Sequence, residues 1–377
     1  MKNRIYMPSV IFGFAMVFSL LLCYNAGRFS AQMPRPSLAG LWDGSYYESL
    51  EQFIERSVPG ANSFKNLAVS LKKKAGRYEF NDIYVGEDIL IKKTNEPNKS
   101  YIESNIKGIS DFAKRNRIPT YCMVVPSKEL IKREELPSYT PMVDQKKYLD
   151  QIYSRLAGVV SSIDVYQSLF SHKDEYIYYN TSDSLSSLGN FYVYKSVASR
   201  LGKQPRSIDD FKIETVSYDY YGDNFKDCEF KDIAPDLVSI YEYKSQSLGF
   251  SIRDMATNEE ILSSLYDKER EGEDVVLGGY NPNITIESFR QKGRATIGND
   301  GYKSTLLVVG DETAYKLLPF LAIHYDEIRF VDISKLSPHD IYRIDYNYYG
   351  QLAFIYSFDS FTSSDTPSRI KYTQSYY

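Results

Sequence analysis

The chain has 377 residues, which at about 100–200 residues per domain predicts one large domain or two ordinary ones. Hydrophobic residues make up 43% and charged residues 25%, which excludes a disordered chain, a collagen-like chain and a polytopic membrane protein. The net charge of −4 excludes a broad basic surface for nucleic acid. Three cysteines and three scattered histidines do not suffice for a disulfide scaffold or for a metal site built from thiolates or imidazoles.

An apolar run over residues 5–24 is the first feature along the chain. About 20 apolar residues span a bilayer as a helix. Lys2 and Arg4 precede the run and Arg28 follows it, which favours a cytoplasmic N-terminus. We expect residues 1–27 to be a cytoplasmic stub and an uncleaved transmembrane signal-anchor. A cleaved signal peptide, whose apolar region is usually about 7–15 residues, is the alternative and would make the protein secreted.

Most of the chain is therefore expected outside the cytoplasm. Prolines and glycines at 28–45 predict a tether. We expect one extracytoplasmic domain over 46–362 and a frayed polar tail over 363–377. Cys122 and Cys228 would lie where a disulfide is allowed, and the sequence does not decide whether they pair.

Helical and strand patterns follow one another within the domain. Helical spacing predicts two helices before residue 75, and 82–91 predicts a hairpin. Short apolar strands are then predicted at 120–125, 162–166, 305–309, 328–333 and 352–358. Helices are predicted at 101–116, 143–160, 188–201, 313–325 and 338–346. This alternation predicts an α/β fold with a parallel sheet covered on both faces, interrupted at 205–285 by an irregular insertion or subdomain.

Ligands of such folds bind beyond the carboxyl ends of the strands. This rule directs attention to residues 126–128, to the segment after Tyr166 and to residues 310–313.

Three segments together resemble the DHHW family. Residues 177–194 have the sequence IYYNTSDSLSSLGNFYVY, similar to the family motif Tyr-Tyr-x-Thr-Asp-His-His-Trp-Thr-x-x-Gly-x-Tyr. Residues 306–332 are similar to the family's strand, Asp-Ser, helix and second strand, and residues 50–91 to its N-terminal segment. The resemblance implies an SGNH-like parallel sheet flanked by helices.

The resemblance also implies a function. DHHW proteins are similar to SGNH-hydrolase-like proteins that O-acetylate alginate and other cell-envelope polysaccharides. In those proteins the Asp-x-His of the first motif and the Ser of the second form a catalytic triad, in which the histidine activates the hydroxyl and the carboxylate orients the histidine. The implied partners are a membrane-bound O-acyltransferase or an active DHHW paralogue, with cell-envelope polysaccharide as ligand. No cofactor, metal or nucleic acid is implied.

The family's three triad positions are all substituted in this chain. The aspartate falls on Ser182, the second histidine on Ser184 and the nucleophilic serine on Glu312. We therefore expect no catalytic residue. What we expect at the site is a residual polar or binding cluster of Thr181, Asp183, Asp311 and Asn281.

The leading hypothesis is a catalytically degenerate protein that acts as an accessory or binding component in polysaccharide O-acetylation. One alternative is an active O-acetyltransferase or acetylesterase with a rebuilt site using Asp183, Glu312 and a serine. The same carboxylates with Asp311 would also suit Ca²⁺ or Mg²⁺. Another alternative is a glycan-binding wall protein without enzymatic partner. We interpret His324 as structural, because it lies late in a predicted core helix.

Overall fold

The computed structural model describes residues 69–373 except 117, 246–249, 255, 281–285 and 292–303, together with Arg35, Ser37, Tyr46 and Ser49. The predicted membrane segment, most of the tether and most of the two helices predicted before residue 75 lie outside these residues, as does Asn281. Residues 69–74, at the end of the second predicted helix, are helical. In the part of the chain that is described, no helix is long and apolar enough to cross a bilayer. The chain divides into two compact units, 1–77 with 229–232, and 78–228 with 233–377.

The second unit begins with a small antiparallel sheet. Its strands are β1 (Glu79–Phe80), β2 (Ile83–Val85) and β3 (Leu90–Lys92), paired in that order. The hairpin between β2 and β3 is closed by Gly86, whose backbone N–H donates to Ile89 O at 2.8 Å. The hairpin predicted at 82–91 is therefore confirmed.

An eight-stranded sheet forms the centre of this unit. The strands that follow β3 along the chain are β4 (Thr120–Val125), β5 (Ser161–Ser162), β6 (Phe211–Tyr220), β7 (Asp236–Tyr243), β8 (Phe250–Asp254), β9 (Glu260–Leu262), β10 (Ile286–Gln291), β11 (Thr305–Gly310), β12 (Glu327–Val331) and β13 (Gln351–Ser357). The central sheet has the order β5-β4-β13-β11-β12-β10-β8-β9, and β6 pairs with β7 in a separate sheet.

Five neighbouring strands of the central sheet, from β5 to β12, are parallel. This confirms the predicted α/β class with a parallel sheet. The remaining strands extend the sheet beyond β12 by antiparallel pairing, β10 with β12, β8 with β10 and β9 with β8. Residues 205–285, expected to be an irregular insertion, thus contain the β6–β7 ribbon and two strands that extend the central sheet.

Helices cover the sheet. They are α1 (Lys99–Arg115), α2 (Lys128–Ile131), α3 (Gln145–Leu156), α4 (Tyr166–Ser171), α5 (Ser187–Arg200), α6 (Asp223–Asp227), α7 (Glu312–Tyr315), α8 (Leu318–Ala322), α9 (Pro338–Tyr342) and α10 (Phe358–Ser363). Side chains of β11 alternate between two apolar cores, Leu306 and Val308 in one and Leu307 and Val309 in the other. This two-residue repeat is what a strand buried on both faces produces.

Two local predictions differ from the structure. The strand predicted at 162–166 is only β5, because Tyr166 already begins α4. The helix predicted at 313–325 is divided into α7 and α8, with Pro319 in the first turn of α8. Proline has no N–H to donate and its ring clashes with the preceding turn, so it starts a helix more readily than it continues one.

The polar tail is not frayed up to residue 373. Residues Thr366–Tyr372 form a 3₁₀ helix with Ile370 fully buried. Ser368 N donates to Asn105 Oδ1 at 2.9 Å, which fixes this segment against α1. Cys122 and Cys228 are both buried, and no disulfide joins them to each other.

Candidate functional site

Three parallel strands end at one edge of the sheet and bring polar residues to one cavity. β4 is followed by 126–128, β11 by 311–313, and β13 by 358–359. With a loop at 178–185 they line most of a cavity of ≈ 360 Å³. The predicted regions 126–128 and 310–313 are thus at the site, as the rule for strand ends in α/β sheets requires.

A buried carboxylate fixes the backbone of the loop at 178–185. Asp236, 1% exposed, accepts hydrogen bonds from Asn180 N at 2.6 Å, from Thr181 N at 2.7 Å and from Thr181 Oγ1. Thr181 Oγ1 in turn accepts from Gly222 N at 2.8 Å. Thr181, predicted as part of a binding cluster, is fully buried and positions the loop instead.

Two glycines allow the chain to approach this loop closely. A Cβ at Gly189, which matches the motif glycine, would lie 2.1 Å from Ile177 O. A Cβ at Gly222 would lie 2.4 Å from the Cβ of Ser182. Both distances are shorter than non-bonded contacts allow, so any side chain at either position would displace the loop.

A buried lysine also binds this loop, through backbone carbonyl groups. Lys128, 1% exposed, donates from Nζ to Leu90 O and Tyr179 O at 2.6 Å each, and to Ser182 O at 2.8 Å. Burial lowers the pKa of Lys128 to about 8, although the charges of Asp183 and Asp236 oppose this shift. The lysine therefore ties β3 and α2 to the loop that carries the motif.

A second lysine connects two of the predicted triad positions. Lys316 Nζ donates to Ser184 Oγ and to Glu273 Oε1 at 2.9 Å each, and lies 2.9 Å from Glu312 Oε1. Its side chain is 12% exposed. Burial alone would lower the pKa of Lys316, but the charges of Glu273 and Glu312 outweigh it and raise the pKa above its usual value.

Among the described residues, neither serine at the triad positions is hydrogen-bonded to a histidine or a carboxylate. Ser184 Oγ accepts a hydrogen bond from Lys316, whose ammonium keeps its own proton because two carboxylates lie beside it, so the pair is not a serine–lysine nucleophile. The third triad position, Ser182, uses its Oγ to accept from Ser184 N at 3.2 Å. Among the described residues that line the cavity there is no histidine.

The histidines have other partners. His324 Nε2 lies 2.8 Å from Tyr194 Oη, and the two rings stack. The ring of His172 stacks on Tyr192, and His339 lies beside Asp340 on the surface. The structural interpretation of His324 agrees with this packing.

The two carboxylates of the predicted rebuilt site, Asp183 and Glu312, contact different partners. Asp183 Oδ1 accepts from Lys92 N at 3.2 Å and from Asn224 Nδ2 at 2.9 Å, whereas Glu312 pairs with Lys316. Neither carboxylate is hydrogen-bonded to the other, so the acid–base pair of the enzyme alternative is not formed.

Asp311 also has a structural position. Its Oδ1 accepts from Thr313 N at 3.0 Å, and its Oδ2 accepts from Ser357 N and Ser357 Oγ at 2.9 and 2.8 Å. It thereby caps α7 and joins it to the end of β13. The described residues contain no group of three or more histidine, cysteine or acidic side chains placed to hold a metal ion. The cation site considered for Asp183, Asp311 and Glu312 is therefore not supported.

Sequence reasoning missed several polar residues of the site. Lys316 and Glu273 were not predicted, because nothing in their local sequence indicates that they meet. Asp359 was also missed, although it directly follows the predicted strand 352–358 and could have been found by the strand-end rule. Burial and the charge of Asp183 raise the pKa of Asp359 to about 6.

Comparison with known families and structures agrees with this fold. The DHHW protein family matches residues 114–265, a range that includes the whole motif segment 177–194. The resemblance predicted from the sequence is confirmed by this match. A search of curated protein sequences finds no match.

Two solved structures share the fold at low sequence identity. A DHHW family protein from Eubacterium siraeum is 16% identical with a TM-score of 0.61, covering 77% of this chain and 95% of that one. PatB1 of Bacillus cereus, solved with a sulfonyl adduct, has the same identity and TM-score and covers 78% and 98%. The O-acetyltransferase domain of Pseudomonas putida AlgJ is 12% identical with a TM-score of 0.46, covering 75% and 92%.

Proposed function

We propose that this protein is a catalytically inactive SGNH-like protein that serves as a binding or accessory component in O-acetylation of cell-envelope polysaccharide. The observation that carries the proposal is the network around Lys316. Its ammonium occupies the space between Ser184 and Glu312, where the family resemblance expects a histidine and a nucleophilic serine.

The chemistry of that network argues against turnover. A hydroxyl attacks an ester only when a neighbouring base accepts its proton. Here Ser184 and Glu312, at two of the triad positions, accept hydrogen bonds from a cation, and the carboxylate of Glu312 lies where the nucleophile is expected. With all three triad members replaced, only binding remains for the cavity to do.

The match to the DHHW family supports polysaccharide O-acetylation as the setting of this role, since that is the activity that the family resemblance implies. We propose a membrane-bound O-acyltransferase or an active DHHW paralogue as partner. We also propose that the apolar run 5–24 anchors the chain in the membrane, with an N-terminus in the cytoplasm and the bulk of the chain outside it.

The first experiment measures hydrolysis of an acetyl ester by the purified full chain. Its comparison variant restores the triad with Ser182→Asp, Ser184→His and Glu312→Ser. A further version adds Lys316→Ala, because the ammonium would otherwise lie against the new histidine. We expect the native chain to stay at the uncatalysed rate, and the variant with all four substitutions to hydrolyse the ester.

Turnover by the native chain would contradict the proposal. If Glu312→Ala or Asp183→Ala then abolished that turnover, the enzyme alternative with a carboxylate–serine site would replace it. If native and restored chains were both inert, the alignment of the triad positions would be wrong, and a crosslinked pull-down for a membrane acyltransferase would decide the accessory role.

A further inference from the structure

A basic groove lies between α1 and the 3₁₀ helix Thr366–Tyr372, away from the cavity at the strand ends. Its volume is ≈ 560 Å³. The charged side chains that line it are four cations and one carboxylate, namely Lys107, Lys114, Arg115, Lys371 and Asp111. The groove thus has an excess of three positive charges (4 − 1), in a chain whose net charge is −4.

The two walls of the groove are fixed to each other. A Cβ at Gly108 would lie 2.8 Å from Ser368 Cα, so the glycine lets the 3₁₀ helix lie directly on α1. Asn105 Nδ2 donates to Phe361 O and to Ser364 O at 2.8 Å each. Its Oδ1 accepts from Ser368 N at 2.9 Å. A partner therefore meets a surface that is already formed, which lowers the entropic cost of binding.

The cations of the groove exceed the acidic partners around them. Lys107 pairs with Asp111 on the next turn of α1, and Arg115 Nε donates to Asp111 O at 3.1 Å. Lys114 and Lys371 are exposed, and neither forms an ion pair with a described residue. The helix dipole favours Lys114 and Arg115 in the last turn of α1, but it does not account for Lys371, which comes from another segment.

A second groove beside α1 shows the ordinary arrangement. It lies between α1 and α3, and its lining has four cations and three carboxylates. There Lys146 pairs with Asp150, and Arg155 pairs with Glu103. The excess of positive charge is thus a property of the basic groove and not of α1 as a whole.

Two exposed tyrosines lie beside these cations. Tyr372 is 40% exposed and follows Lys371, whose Nζ lies 5.2 Å from the centre of the tyrosine ring. Tyr101 is 37% exposed and lies one turn before Ser104, a lining residue on α1. Tyrosine rings next to lysine and arginine are typical of protein surfaces that lie among lipid headgroups.

These features favour an anionic membrane surface as the partner. Each lysine or arginine close to such a surface strengthens binding about fivefold, so several cations together give stable docking. The proposed anchor over residues 5–24 keeps a bilayer within reach of the domain at high effective concentration.

We propose that the basic groove docks on anionic phospholipid headgroups of the membrane that anchors the chain. Lys114 and Lys371 contact the headgroup phosphates, and Tyr101 and Tyr372 lie at the depth of the headgroups. The inference takes the anchor from the proposed function and goes beyond it, because it states which face of the domain lies on the bilayer.

The test follows a fluorophore on Ser104→Cys in the full chain, with Cys23→Ser as background, since Cys122 and Cys228 are buried. The chain is reconstituted in vesicles of phosphatidylcholine, with or without about one third phosphatidylglycerol. Both contain a trace of lipid with a nitroxide headgroup. We expect the nitroxide to quench the label in phosphatidylglycerol vesicles, and about 1 M salt to abolish the quenching by screening the charges.

Two pairs of substitutions make the test specific. Lys114→Glu with Lys371→Glu should lower the ratio of docked to undocked protein at least about tenfold. Lys195→Glu with Arg200→Glu makes the same change of charge at exposed positions of α5. Because α5 and α1 contribute to the two different apolar cores of the sheet, this control should leave the quenching intact.

The inference is overturned if quenching is equal in the two kinds of vesicle, if it persists in high salt, or if the control pair loses it as well. Absence of quenching together with a response of the label to soluble alginate would assign the groove to an anionic polysaccharide instead. A chain that does not float with phosphatidylcholine vesicles would contradict the proposed anchor, while phosphatidylglycerol vesicles would still test the groove. Thermal unfolding of the groove variant distinguishes lost docking from lost folding.

Discussion

Ser184 and Glu312 share one hydrogen-bond donor, the ammonium of Lys316, which lies 2.9 Å from an oxygen of each. Their positions are 128 residues apart in the chain (312 − 184) and belong to the two segments that carry the family resemblance. A single cation thus links the two segments where the family resemblance would place a proton transfer. The contact gives these residues a structural role that does not require catalysis.

Replacing Lys316 with methionine should destabilise the fold by about 2–4 kcal/mol, because it leaves Glu273 and Glu312 close together without their cation. The loss should come mainly from Glu273, whose side chain is 14% exposed, since Glu312 is 54% exposed. Equilibrium denaturation in urea measures it.

Two comparisons make this measurement specific. Lys92→Met, which changes an exposed lysine of the same cavity, should cost less than about 0.5 kcal/mol. Adding Glu273→Gln to Lys316→Met should recover part of the loss. An unchanged denaturation midpoint in Lys316→Met would show that the network contributes nothing to stability.

We predict that replacing Asp359 stabilises the protein, by an amount that depends on pH. The folded state raises the pKa of this carboxyl to about 6 from its ordinary value of 3.8, so the folded state holds the proton more tightly. Stability from this group is therefore lost as pH rises from about 4 to about 6, and stays lower above that. The free energy of unfolding of Asp359→Asn should equal that of the native protein at pH 4 and exceed it by about 1–2 kcal/mol at pH 7. This expected gain is smaller than the full pKa shift implies, because the carboxyl is partly exposed to solvent.

Thermal or urea unfolding at both pH values measures this difference. Asp88→Asn, at an exposed turn, should show no such dependence on pH. A variant at Asp359 that is less stable than the native protein at pH 7 would mean that the carboxylate has a favourable partner in the folded state.

We predict that the conservative substitution Asp236→Asn causes a large loss of stability. Asp236→Asn replaces an acceptor of several hydrogen bonds with a group that presents N–H toward the N–H of Asn180 or Thr181. Because the residue is buried, we expect a loss of about 2–4 kcal/mol. Amide hydrogen exchange at Asn180 and Thr181 should accelerate, while Asp219→Asn on an exposed strand position should change neither quantity. Unchanged exchange at both amides would contradict the role of Asp236 in holding the loop.

Much of the fold could be predicted because short apolar strands leave a local pattern. The strand at Thr120–Val125 has the predicted bounds, and those at 305–309 and 352–358 are each within one residue of the observed ones. The helical pattern at 313–325 predicts one helix where the structure has α7 and α8. The position of Pro319 indicates the start of the second helix, and the pattern alone does not take this into account.

The site was only partly predictable because its partners are distant in sequence. Lys316 meets Ser184 across 132 residues and Glu273 across 43, and no local pattern encodes such contacts. The motif resemblance brought Ser182, Ser184 and Glu312 to attention. It carried no information on the lysine and the glutamate that have joined them, because the family's motif contains neither.

The central sheet ends on both sides in a very short strand. β5 has 2 residues and β9 has 3, so the hydrogen-bonding edges offered to another chain are brief. Long exposed edges are the usual starting points of intermolecular strand pairing, and short ones are a common protection against it. We expect the central sheet to resist edge-to-edge pairing at high concentration, and any partner of this sheet to recognise it through side chains rather than by adding a strand to it.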